Sequence, residues 1–235
     1  MKDSTLKKLS GQLFAGMFGG SCFLCRGAAR GLLCEACDGD LPRLPAPRCP
    51  RCALASPAGA LCGRCLAHSP HYDATVAALS YDFPADALIH ALKFGGELSL
   101  APFLGQLLRQ EIISGERIDC IVPVPLSARR LRERGYNQAV ELARPLARAA
   151  RAPLEPGLCE RTRDAPPQTE LPWAERGRNV RGAFRCTRSL VGANVAVVDD
   201  VMTTGATLNE IASTLKGAGA LRVVNWVVAR TSPPS

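Results

Sequence analysis

The apolar positions fall into runs whose spacing changes along the chain, and each change of spacing predicts an element. HYDATVAALSYDF (71–83) alternates well enough for a strand. PADALIHALKFGG follows, with Leu88, Ile89 and Leu92 on one face and Gly95 and Gly96 as a stop, and this predicts a helix. A second helical stretch runs from Leu100 to Ile113. IDCIVPVP (118–125) is a continuous apolar run of strand length. Residues 137–150 return to helical spacing, with Ala139, Leu142, Ala143 and Leu146 facing inward. NVAVVDD (194–200) predicts a second buried strand, 206–218 a helix stopped near Gly217 and Gly219, and LRVVNWVVA a third buried strand. Strand and helix alternate from 118 to 230. That pattern predicts an α/β fold, a mostly parallel sheet with helices on both faces.

Three stretches do not follow these periods. Residues 1–19 carry lysines ahead of LFAGMF, an apolar core too short for a secretion signal, and predict a short amphipathic helix. Residues 20–70 are rich in Cys, Gly and Pro and predict a small module held by metal. Residues 164–182, DAPPQTELPWAERGRNVRG, are polar and Pro-rich; a connection this long inside a compact domain is usually functional. The expected organisation is an N-terminal helix (1–19), a metal module (20–70) and an α/β domain (71–235), with 72–115 supplying a hood over the site. With 235 residues and 47% hydrophobic content, the chain is long enough for one such core and a module. No run of about 18 apolar residues occurs, so no membrane span and a cytoplasmic location are expected.

Eight of the eleven cysteines form four C-x-x-C pairs: Cys22/Cys25, Cys34/Cys37, Cys49/Cys52 and Cys62/Cys65. Two residues between thiolates let a tight knuckle present both sulfurs to one ion, and two knuckles complete a tetrahedral zinc site. This spacing favours metal in a reducing compartment over disulfides. The gaps suggest one Zn2+ on the first four cysteines and a second on the last four, a double zinc ribbon; an interleaved pairing is the alternative. Metal binding supplies about 10–16 kcal/mol in small zinc units, more than so short an apolar content can bury. His68 and His71 are expected at the surface. Cys120, Cys159 and Cys186 are isolated, and no Cys–His catalytic pair is evident. The net charge of +8 is carried mainly by arginine. It fits a phosphate-rich partner, although coding bias toward Ala, Arg, Gly and Pro explains it equally well.

The most specific signal is NVAVVDDVMTTGAT (194–207). Ligands of open α/β sheets bind where strands end and helices begin. There the free N–H groups and the positive end of the helix dipole attract an anion. Gly205 allows close approach of the backbone, and Thr203, Thr204 and Thr207 offer hydroxyls to phosphate oxygens. Asp199 and Asp200 make no sense as phosphate ligands. They suit the two neighbouring hydroxyls of a sugar, with a divalent cation close by.

VVDDVMTTGAT resembles the 5-phosphoribosyl 1-pyrophosphate signature of type I phosphoribosyltransferases. The resemblance implies that Asp199 and Asp200 hold the ribose and that Thr203, Thr204, Gly205, Ala206 and Thr207 hold its 5′-phosphate. In IVPVPLSARRLRERGYNQAVELA (121–143), the arginines after the strand suit pyrophosphate. A pyrophosphate loop is expected at 126–130 with Arg129 and Arg130, the alternative being an exposed helix face. In 160–184, Arg161, Arg163, Gln168, Arg176 and Asn179 are candidates to close over the ligand and exclude water. Together with Lys93 in LKFGG and the four C-x-x-C pairs, these runs resemble the ComF family, over about 20–230. Ala165 stands where that family is expected to have Thr.

The resemblance implies a type I phosphoribosyltransferase-like domain with Asp199, Asp200 and Arg163 catalytic, Mg2+ at the site, and a place in DNA uptake, DNA utilization or nucleoside metabolism. Two functions follow. One is ribosyl phosphate transfer from phosphoribosyl pyrophosphate with release of pyrophosphate. The other is a non-catalytic protein for single-stranded DNA, working with the DNA-uptake machinery and using the same site as a sensor. Aromatic residues make up only 5% of the chain, so base-stacking platforms are scarce.

Overall fold

The structure is a computed structural model that describes residues 20–112, 116–163 and 180–232. The expected N-terminal helix and, within the expected lid, Gln168, Arg176 and Asn179 lie outside the described residues. The chain forms two compact units, residues 1–41 and 42–235.

The smaller unit is organised around its cysteines. Strands β1 (Gly20–Ser21) and β2 (Ala28–Ala29) pair antiparallel. Between them a knuckle closes through the Cys22 N–H to the Gly27 carbonyl, 2.7 Å, with Arg26 in the left-handed region at φ 64°. The Arg26 guanidinium lies over the Phe23 ring. Cys34 caps helix α1 (Glu35–Gly39), which carries Cys37.

The larger unit opens with a knuckle around Cys49 and Cys52, a 3-10 turn (Pro57–Gly59) and helix α2 (Gly63–Ala67). The α/β part then runs β3 (Ala74–Ser80), α3 (Ala85–Phe94), α4 (Leu100–Glu111), β4 (Cys120–Pro123), α5 (Ala128–Arg134), α6 (Gln138–Ala150), β5 (Cys159–Arg161), β6 (Phe184–Cys186), β7 (Asn194–Met202), α7 (Ala206–Gly217) and β8 (Arg222–Arg230). The main sheet has the order β3-β8-β7-β4, and all three pairings are parallel. The strands β7 and β8 sit centrally, and their Val-rich runs are buried on both faces, as a covered parallel sheet requires. Pro123 has no N–H to donate and lies at the end of an edge strand, where the ladder tolerates it.

The strand expected within 71–83 forms as β3, an edge of the main sheet. The segment 72–115 thus builds a sheet edge and its covering helices, and it brings Tyr81, Lys93 and Phe94 to the cavity described below. The expected inward faces of α3 and α6 are buried as the spacing predicted. Helices α4 and α6 cross closely: a Cβ on Gly105 would meet Pro145 Cγ at 2.8 Å. Helix α7 packs with Val195, Val197 and Val223, and the second cysteine knuckle belongs to the same hydrophobic cluster through Cys49, Cys52 and Cys65. Among the described residues, no helix is long and apolar enough to cross a membrane.

Candidate functional site

Parallel strands all deliver their carboxyl ends to one edge of a sheet, and a cavity of about 830 Å³ lies at that edge here. Asp199 and Asp200 line it. They are not past the strand end, because β7 continues to Met202. Successive strand side chains leave in different directions, yet both carboxylates reach the same cavity. Asp200 is 3% exposed and turns toward α3, where Lys93 Nζ lies 2.8 Å from its Oδ1. Its Oδ2 is buried with no hydrogen-bond partner among the described residues. Asp199 Oδ1 folds back to accept the Asp200 N–H at 2.9 Å.

This arrangement sets the charge of the pair. Burial, and then the neighbouring Asp200, push the Asp199 carboxyl up to about 8. Burial disfavours the Lys93 ammonium, but its attraction to Asp200 outweighs this and holds its pKa above the usual lysine value. Lys93 therefore stays charged and neutralises the acid it touches.

The turn after β7 meets the expectation in outline. Gly205 has φ 81°, a left-handed conformation that glycine adopts without penalty, and α7 begins at Ala206. Thr203 and Thr207 line the cavity. Thr204 does not; its Oγ1 accepts the Ala206 N–H at 3.2 Å and braces the turn.

On the opposite wall stand Arg129, Arg130 and Arg134. The expected loop at 126–130 is mostly helical: Ser127 caps α5, its Oγ accepting the Arg130 N–H at 3.4 Å. A serine cap followed by good helix formers makes this the favoured local structure. Arg132 is exposed and outside the cavity, while Arg129 is largely exposed and within 3.5 Å of Glu133. Arg134 is half-buried, with its guanidinium 5.0 Å from the Phe94 ring centroid. Arg161 also lines the cavity, whereas Arg163 is exposed and offers its carbonyl to Arg161 Nε at 3.1 Å. The structure thus gathers Lys93, Arg129, Arg130, Asp199, Asp200, Thr203 and Thr207 around one cavity. Arg134 belongs to the arginine run that suited pyrophosphate in the sequence, whereas Tyr81, Phe94 and Tyr136 were not singled out as wall residues. The Tyr136 hydroxyl donates to the Leu92 carbonyl and ties the wall to α3.

The cysteines gather in sequence order, not interleaved. The sulfurs of Cys22, Cys25, Cys34 and Cys37 lie within 4.8 Å of one another, and so do those of Cys49, Cys52, Cys62 and Cys65. Backbone N–H groups point at these sulfurs, as from Cys62 to Cys49 Sγ at 3.4 Å. The Cys25 N–H is the main cause that brings the Cys22 thiol down to about 6. Four thiols at one point, with donors that favour the thiolate, fit tetrahedral zinc.

The family model "Double zinc ribbon domain" matches residues 13–66. The chain is 36% identical over 222 residues to the DNA utilization protein YhgH of Escherichia coli K12, covering 90% of this chain and 97% of that one. It is 32% identical to competence protein F of Haemophilus influenzae, covering 89% and 96%. Among solved structures, the glutamine phosphoribosylpyrophosphate amidotransferase of B. subtilis complexed with ADP and GMP is 28% identical, covers 54% of this chain and 26% of that one, and has a TM-score of 0.37. The two cysteine quartets are therefore zinc-ribbon sites by both geometry and family.

Proposed function

The chain belongs to the family of the DNA utilization protein YhgH and competence protein F, and from that premise we propose that it binds phosphoribosyl pyrophosphate and transfers its ribosyl phosphate to a nucleophile, releasing pyrophosphate. The observation that carries this reading is the cavity in which two acids of β7 face an arginine wall beside a left-handed glycine turn. Asp199 and Asp200 accept from the ribose hydroxyls. The Thr203–Thr207 turn holds the 5′-phosphate. Arg129, Arg130, Arg134 and Arg161 take the pyrophosphate, and guanidinium forks match its oxygens.

As the C1–O bond to pyrophosphate breaks, negative charge grows on the departing oxygens, and the fixed cations stabilise it where it develops. Lys93 is already charged and sits at the rim of that wall. Its ion pair with Asp200 competes with the ribose for one carboxylate. Ligand entry therefore exchanges partners, with the ammonium moving to a phosphate oxygen and Asp200 to a sugar hydroxyl. Gln168, Arg176 and Asn179 remain candidates for closure, and Arg163 for the reacting centre.

This reading calls for Mg2+ beside the pyrophosphate. Asp199 with the unpartnered Oδ2 of Asp200 is a donor set of the hard-oxygen kind that this ion takes, and the ion would shield the charge of the pyrophosphate. In the cell this activity would serve DNA utilization or competence, the roles in the relatives' names.

Titration calorimetry with phosphoribosyl pyrophosphate and Mg2+ tests the reading on wild type and Asp199→Ala/Asp200→Ala. Saturable heat that the double variant lacks supports it, and a silent wild type rejects it. Pyrophosphate release against a panel of bases and amines then separates transfer from sensing. The exposed arginines of the wall keep the second reading open, a grip on single-stranded DNA. It requires binding that weakens steeply with salt.

A further inference from the structure

The phosphate turn is held from behind by the second cysteine quartet. Arg230 ends β8 and pairs in register with Met202. It is 1% exposed. Its Nε donates to the Cys52 carbonyl at 2.9 Å, and its Nη1 donates to the carbonyls of Met202, at 2.8 Å, and Thr203. Arg64, which lies between Cys62 and Cys65 in the chain, donates from Nη2 to the Thr204 carbonyl at 2.5 Å. Three consecutive carbonyls thus face two arginines attached to one zinc ribbon. In a trans peptide the following N–H points opposite to its carbonyl. The arginines therefore turn the N–H groups of Thr203, Thr204 and Gly205 away from themselves.

Charge makes the link more than geometric. Among the described residues no carboxylate pairs with Arg230, and its Nη2 is buried without a hydrogen-bond partner. An isolated buried guanidinium is costly. Its Nε bond to the Cys52 carbonyl sets the guanidinium beside the quartet. Four thiolates around zinc carry net negative charge, which is the counter-charge that Arg230 otherwise lacks. Tyr72, 3% exposed, closes the same spot: a Cβ on Gly205 would lie 3.1 Å from its hydroxyl.

We propose that the zinc-loaded Cys49/Cys52/Cys62/Cys65 centre is the positioning element of the phosphate turn, with Arg230 and Arg64 as its positioning residues. This rests on the reading that the turn holds a phosphate. The second ribbon is then an internal brace of the ligand site, and loss of its metal releases the turn while the sheet survives.

Hydrogen exchange of the ligand-free, full-length protein tests this, with zinc content measured alongside. In Cys62→Ser, exchange of the 203–207 amides is expected to rise about tenfold or more, while β4 and α4 keep their protection. Cys25→Ser, which removes a ligand of the first quartet, is expected to leave 203–207 unchanged. Arg64→Ala touches no zinc ligand and reads the brace even where Cys62→Ser fails to fold. It is expected to raise turn exchange about threefold, with partial rescue by Arg64→Lys. Unchanged exchange at 203–207 in Arg64→Ala, or equal loosening of turn and sheet in Cys62→Ser, overturns the proposal. The readout needs no ligand. A wild type that fails to bind phosphoribosyl pyrophosphate therefore rejects the proposed function without deciding this test.

Discussion

Lys93 Nζ lies 2.8 Å from Asp200 Oδ1, and the acid is almost wholly enclosed while the lysine keeps some contact with water. A pair so placed is stabilising mainly because either partner alone is worse. Lys93→Met leaves a buried carboxylate without its cation and is expected to cost about 2–3 kcal/mol, the lysine's partial exposure keeping the loss below that of a fully buried pair. Lys93→Met/Asp200→Asn is expected to recover most of it. Denaturant unfolding of the four proteins in the cycle measures the coupling.

Asp199 gives stability a pH dependence of unusual sign. Its carboxyl is raised from 3.8 to about 8 in the folded chain. Between those values the folded state keeps a proton that the unfolded state has released. Stability therefore falls as pH rises through this window and levels off above about 8. Asp199→Asn is expected to flatten the profile and to be more stable than wild type at pH above 8, by about 1–2 kcal/mol. Thermal melts of both proteins across the window check the sign.

The same titration bears on binding. An ionised Asp199 accepts from a sugar hydroxyl better than a protonated one. Affinity for phosphoribosyl pyrophosphate is expected to climb on the alkaline side with an apparent midpoint of about 8. In Asp199→Asn the climb disappears and affinity drops about tenfold or more. Calorimetry over this pH range, with ligand ionisation corrected on the ligand alone, reads both effects.

Gly205→Ala places a side chain at φ 81°, with its Cβ 2.6 Å from Met202 Cε and 3.1 Å from the Tyr72 hydroxyl. The Met202 end can swing aside, but the backbone strain and the buried tyrosine remain. The expected cost is about 1–2 kcal/mol, together with weaker phosphate binding. Equilibrium unfolding and an inorganic phosphate titration measure the two separately.

Metal analysis is expected to find one zinc per cysteine quartet, hence two per chain. Cys22→Ser is expected to lower the content to one. Replacement by cobalt gives the visible bands of a four-thiolate site, and their halving in the variant assigns the signal.

Much of this was legible from residue order, since it depends on local physics. The inward face of α6 at Ala139, Leu142, Ala143 and Leu146 follows from a period of 3.6, and the zinc knuckles follow from their spacing. The turn at Gly205 was visible because a strand, a glycine and a helix meet there in sequence. The expected loop at 126–130 went astray because arginine runs read alike as an anion grip or a helix, and Ser127 capped the helix. That 72–115 supplies both a sheet edge and part of the cavity wall was not legible, because strand order in a sheet is not written in chain order. Nothing in the residue order around Arg230 marks it as a brace, because its partners Cys52 and Met202 lie far off in the chain.

The sequence by itself determined the α/β alternation, the eight thiol ligands, and the acid pair with its glycine turn. Each is a matter of spacing within a few bonds. Only the tertiary structure decided that Lys93 neutralises Asp200, that Arg134 and Arg161 complete the cavity wall, and that Cys52 and Met202 share one guanidinium across 178 and 28 residues. These pairings join distant segments, and the parallel sheet brings their ends together at one edge, where burial makes each charge depend on its neighbour.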